Sequence, residues 1–108
     1  MGYSVAVLNL ALGLWMEFGE HWLQSIDKRL LALHPELGDG AVLKIDKLCR
    51  EVNTIAHKFV SEHPVKSEAG VSFVAFYLFE AFMISKYDWI DAANLSSLYS
   101  QGCYYALK

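Results

Sequence analysis

The chain has 108 residues, two cysteines and a formal net charge of −3; 55% of it is hydrophobic, 14% aromatic and 19% charged. This length implies one domain, residues 1–108, that can bury a core without staples. Its scattered basic residues exclude the clustered Lys and Arg of non-specific nucleic-acid binding.

Soluble domains average roughly 45–50% apolar and about 25% charged. The apolar surplus therefore implies a thick core or apolar surface that meets a partner. The N-terminus has no basic segment and no small-residue cleavage site of a secretory signal. Met1-Gly2 opens like a myristoylation signal, but Ala6 stands where Ser or Thr is needed. A cytoplasmic protein is expected, with Cys49 and Cys103 as free thiols.

Residues 4–33 read as one long helix with Ser4 as its N-cap. Asn9, Glu17, Glu20, Gln24 and Asp27 recur on one narrow polar stripe. Leu8, Leu12, Trp15, Phe18, Trp22, Leu23, Ile26 and Leu30 occupy the remaining circumference. A surface helix buries only about a third of its circumference. Either two neighbouring helices cover this one, or Trp15 and Trp22 face a second molecule. His34-Pro35 ends it, because a residue before proline is pushed out of the helical region. Glu36 to Gly40 is a turn, and Asp39 is the expected cap of the next helix.

Residues 41–62 carry the cleanest amphipathic pattern: Val42, Ile45, Leu48, Cys49, Val52, Ile55, Ala56, Phe59 and Val60 follow helical spacing. Asp46 and Arg50, and Lys47 and Glu51, stand at i,i+4. Ser61 to Ser67 is the second connection, with Pro64 as breaker.

From about 68 to 86 the chain reads as an apolar central helix, V-S-F-V-A-F-Y-L-F-E-A-F-M-I, interrupted by Ser72 and Glu80. It is shorter than the roughly 20 apolar residues of a membrane span. Charged Lys66, Glu68, Lys86 and Asp88 flank it, so no membrane is expected. Asp88 reads as the cap of a last helix holding Trp89, Ile90, Leu95, Leu98 and Tyr99. Gly102 ends or interrupts that helix. The short turns suit antiparallel neighbours. The expected fold is all-α: a small antiparallel bundle of four main helices around the apolar one.

Several residues are candidates for chemistry. Glu80 on an apolar helix must be paired, protonated or exposed at a gap, and with Phe76 and Tyr77 it could line a ligand or cofactor pocket. Glu17, Glu20 and His21 share a helix turn, but there is no Glu-x-x-His pair and no second copy of the kind that di-metal bundles use. The cysteines and histidines lack zinc spacing. No metal and no cofactor are expected. Cys49 and Cys103 have no base beside them in sequence and read as packing residues.

Arg50 and His57, in R-E-V-N-T-I-A-H, resemble the Arg-x(4–6)-His motif of the HEPN family. Those are small all-helical proteins, many of them metal-independent ribonucleases that act as dimers. That resemblance would give Arg50 the scissile phosphate and His57 the proton transfer at the ribose 2′-hydroxyl. Tyr99, Tyr104 and Tyr105, with Trp15 and Trp22, are the residues suited to anchor a protein partner, since Tyr and Trp dominate interface hot spots.

The expected function is therefore a non-enzymatic helical module that binds another protein and sequesters or inhibits it, with homodimer formation covering part of the apolar excess. The HEPN-like ribonuclease and the Glu80 pocket stand as alternatives.

Overall fold

The computed structural model describes residues 3–16, 26–67 and 70–106. The fold class is all-α. Among the described residues, four helices of eleven residues or more carry it: α1 (Val5–Trp15), α3 (Gly38–Glu62), α4 (Phe76–Lys86) and α5 (Ala92–Ala106). A seven-residue α2 (Asp27–Leu33) and a single 3-10 turn (Pro35–Leu37) lead into α3. The chain divides into two compact units, residues 1–52 and 53–108, and α3 runs through the boundary.

In the first unit, Ser4 caps α1 as expected: its Oγ accepts the Val7 N–H at 3.1 Å. Leu8, Ala11, Leu12 and Trp15 then form the buried stripe. The uninterrupted helix over 4–33 is not formed. α1 closes at Met16, whose N–H reaches Leu12 O, and α2 restarts at Ile26. The restart is built by a side chain distant in sequence. Ile26 is fully buried and offers no capping side chain; its N–H donates to Asp46 Oδ1 at 3.0 Å, and Asp46 is itself buried on α3. A buried N–H left without a partner costs roughly 1–3 kcal/mol, so this bond matters to where α2 begins. Asp46 Oδ2 also takes the Arg50 guanidinium at 3.2 Å, and Arg29 Nη1 donates to Leu14 O at 3.5 Å in the last turn of α1.

His34-Pro35 ends α2 as expected. α3 then starts earlier than the pattern indicates, at Gly38, where φ is +78°, so Asp39 lies within its first turn rather than capping it. Glycine meets that left-handed conformation without the cost a Cβ would add.

In the second unit, the α3 face of Asn53, Ala56 and Val60 is buried. The expected helix over 68–86 is shorter. Its first part is a hairpin, β1 (Pro64–Ser67) paired antiparallel with β2 (Gly70–Phe73), with Pro64 opposite Phe73 and Ser67 opposite Gly70. Val71 and Phe73 are residue types that favour a pleated strand, and a short apolar run does not reveal by periodicity whether it is strand or helix. Pro64 opens β1, where its missing N–H is tolerated.

α5 is capped by Asp91, not Asp88: Asp91 Oδ1 accepts the Asn94 N–H at 2.8 Å. Gly102 neither ends nor interrupts α5, which runs to Ala106. A Cβ built on Gly102 would lie 3.0 Å from Val60 Cγ2. The glycine there serves close approach between α5 and the end of α3.

No helix among the described residues is long and apolar enough to cross a membrane.

Candidate interaction surface

The second unit is held by an aromatic cluster from three helices. Phe79 is fully buried at its centre. Its ring lies 6.1 Å from Phe59, 6.3 Å from Phe76 and 5.4 Å from Tyr99. Phe76 and Tyr99 meet edge to face at 5.3 Å, and Phe59 stacks on Phe82 at 4.2 Å. These are the offset and tilted geometries that aromatic quadrupoles favour. His63 covers the other side of Phe59 at 4.2 Å, its Nδ1 sits 2.7 Å from Phe59 O, and Lys86 Nζ lies 5.6 Å over Phe82.

This cluster orients α4. Phe79 and Met83 are its buried residues, one helical turn apart. Phe76 and Phe82 are half-buried beside them. The opposite side is Tyr77, Leu78, Ala81 and Ser85, all exposed. Tyr77 is 69% exposed and Leu78 47%. Glu80 lies half-exposed on α4, and Lys86 is the one other charged residue in the helix. Thus α4 is apolar all round in sequence, yet its outward side is turned to solvent.

The other expected anchors divide. Trp15 is buried on the α1 stripe, with the Arg50 guanidinium 5.4 Å above its ring. It is buried rather than presented on an outer face. Tyr99 is half-buried. Its hydroxyl donates to Val74 O at 2.8 Å, which fixes the chain between β2 and α4. Tyr104 is exposed on α5. Trp22 and the Glu17–Glu20–His21 group lie outside the described residues, as does the side chain of Tyr105. Sequence reasoning missed Tyr77 and Leu78 as surface residues. The missing signal was the pair Phe79 and Met83, whose burial sends the opposite side outward.

The remaining chemistry-bearing groups have structural surroundings. Arg50 is tied to Asp46. His57 is half-buried on α3, and burial lowers its pKa below the ordinary histidine value. Burial, then the Asp46 carboxylate, pushes the Cys49 thiol up to about 12. At that value it remains a protonated, apolar packing group. Burial also raises the Cys103 thiol, which contacts the Tyr99 hydroxyl. Neither Cys49 nor Cys103 is in a disulfide. Among the described residues, no group of three His, Cys, Asp or Glu side chains is placed to hold a metal ion. Set beside known protein families, curated proteins and solved structures, the chain matches none of them.

Proposed function

We propose that this chain is a non-enzymatic, cytoplasmic, helical protein-binding module that self-associates and sequesters or inhibits a macromolecular partner. Immunity proteins, antitoxin-like inhibitors, phage inhibitors and secretion chaperones fill such roles with modules of this size and class, an analogy at the level of fold. The observation that supports it is the outward side of α4, where Tyr77 and Leu78 stay exposed on a helix with only two charges. Apolar residues gathered on one exposed face mark interfaces more often than isolated ones do, and tyrosine is a favoured anchor there. The acidic net charge supports a protein partner over a nucleic acid.

The test compares the wild-type chain with Leu78→Glu. Light scattering behind size exclusion reads self-association, and any protein captured from native lysate is purified and titrated back against both chains. Leu78 is about half exposed, so the substitution leaves the fold in place. Self-association or a stoichiometric complex that weakens at least ten-fold in Leu78→Glu is expected. Binding unaltered by the substitution, or no association of any kind at high concentration, overturns the reading.

A further inference from the structure

The hairpin adds a second feature to the same unit. In an antiparallel ladder, residue pairs alternate between those that exchange both backbone bonds and those that exchange none. The innermost pair is Ser67 with Gly70, so Ser67–Gly70 and Val65–Ser72 are the bonded pairs. Lys66 with Val71, and Pro64 with Phe73, are the others. Their N–H and C=O groups point away from the hairpin, one set along each edge. Among the described residues the sheet has only these two strands.

The two edges are not equivalent. The β1 edge carries Pro64, which has no N–H to give, and Lys66, a charged residue of the kind that discourages edge pairing. The β2 edge offers the complete backbone groups of Val71 and Phe73 on a strand with no charge and no proline. Such an edge is a template for one more extended strand.

We infer that β2 pairs antiparallel with β2 of a second copy of this chain, joining two hairpins into one four-stranded sheet about a two-fold axis. Parity selects the register. Only residues with outward groups can exchange bonds, and a pairing centred on Ser72 sets Val71 opposite the second copy's Phe73, and Phe73 opposite its Val71. All outward groups of the strand are then used, in four inter-chain bonds, and Ser72 meets its own copy at the axis. The self-complementarity is specific to β2. The uncharged strand places no like charges across the axis, whereas β1 self-pairing centred on Val65 would set Lys66 opposite Pro64, which has no N–H, and could form only two of the four bonds. A two-fold interface uses the same patch on both subunits, as this one does. The inference rests on the self-association proposed above and adds a strand edge to the α4 surface.

The test uses the full chain at several concentrations, with light scattering for mass and far-UV circular dichroism for fold. Val71→Pro removes an outward N–H and no bond of the hairpin. It is expected to weaken the dimer at least ten-fold while helix content is kept. Ser72→Lys and Ser72→Glu provide the second arm: each alone opposes like charges at the axis and yields monomer, and an equimolar mixture restores a mixed dimer. A dimer that survives Val71→Pro and both Ser72 substitutions overturns the strand pairing. If that dimer is lost in Leu78→Glu, the α4 surface stands without the strand edge. A wild-type chain that stays monomeric overturns the pairing, and a monomer that instead takes an extended peptide of another protein at β2 overturns the second copy as occupant.

Discussion

Gly102 gives a prediction whose sign can be worked from geometry. Replacing glycine by alanine inside a helix gains about 1 kcal/mol of propensity. The new Cβ, however, would stand 3.0 Å from Val60 Cγ2 and 3.4 Å from Val60 Cβ. Val60 is fully buried, and a β-branched side chain on a helix has one strongly preferred rotamer, so it cannot swing aside. Overpacking of this kind costs about 1–3 kcal/mol. The net expectation for Gly102→Ala is a loss of about 1 kcal/mol. Val60→Ala alone loses about 2 kcal/mol, from two buried carbon groups at about 0.8 kcal/mol each and a small cavity. In the double variant the alanine at 102 no longer meets Cγ2, and the Cβ left at position 60, 3.4 Å away, is in ordinary contact, so the alanine keeps its propensity gain and fills part of the space. The double is then expected near 1 kcal/mol of loss, against about 3 for the sum. That is a coupling of about 2 kcal/mol, within the range for residues in contact. Urea unfolding followed by circular dichroism, at one fixed protein concentration so that self-association does not shift the midpoint, reads all four chains. A Gly102→Ala chain that is stabilised by about 1 kcal/mol, with an additive double, refutes the close approach of α5 to the end of α3.

Further outcomes follow from single contacts. Asp46→Ala should cost about 1–3 kcal/mol in urea unfolding, because it strands the buried Ile26 N–H. Asp46→Asn keeps an accepting oxygen and should cost clearly less; equal losses would show that the bond does not hold the start of α2. Tyr99→Phe leaves Val74 O without its donor and should lose about 1 kcal/mol, and a chain as stable as wild type would show the bond to be idle. Since burial lowers the His57 pKa from its ordinary 6.5, the unfolded chain binds more protons than the folded one below that pH. Stability from His57 is thus complete above about pH 6.5 and declines as pH falls through the lowered value; His57→Gln should flatten that slope in acid unfolding curves. Cys49, near 12, should resist alkylation in the folded chain at pH 8 and react once urea unfolds it. Rapid labelling of the native chain would contradict its burial.

What the sequence made legible follows from the range of each interaction. The Ser4 cap and the break at His34-Pro35 are decided within a few residues, and both are found where the pattern puts them. The inward face of α3 was equally readable, since Val42, Ile45, Cys49, Val52, Ala56 and Val60 keep one spacing. The start of α2 was not, because the group that satisfies Ile26 N–H arrives from twenty residues away. The same holds for Asp91 against Asp88. Both acids precede the helix, and only the backbone path decides which one reaches an amide three residues on. The hairpin was hidden by composition: Val71 to Phe73 is as apolar as the helix that follows, and the pairing with Pro64 to Ser67 is a property of two segments rather than one.

The candidate surface exposes the same limit in a more consequential form. An all-apolar run carries no moment to say which side faces in, so the sequence could place α4 only at the centre. What orients it is a set of contacts from elsewhere: Phe59 on α3 and Tyr99 on α5 close on Phe79, while Phe82 stacks on Phe59. Once those rings are buried, geometry requires Tyr77, Leu78 and Ala81 to point the opposite way. A soluble helix under no other constraint would carry polar residues on that side. Polar residues there would cost the core nothing, so the core does not account for Tyr77 and Leu78. They are the residues on which the association proposed above would rest, and the uncharged β2 strand leads into the same helix.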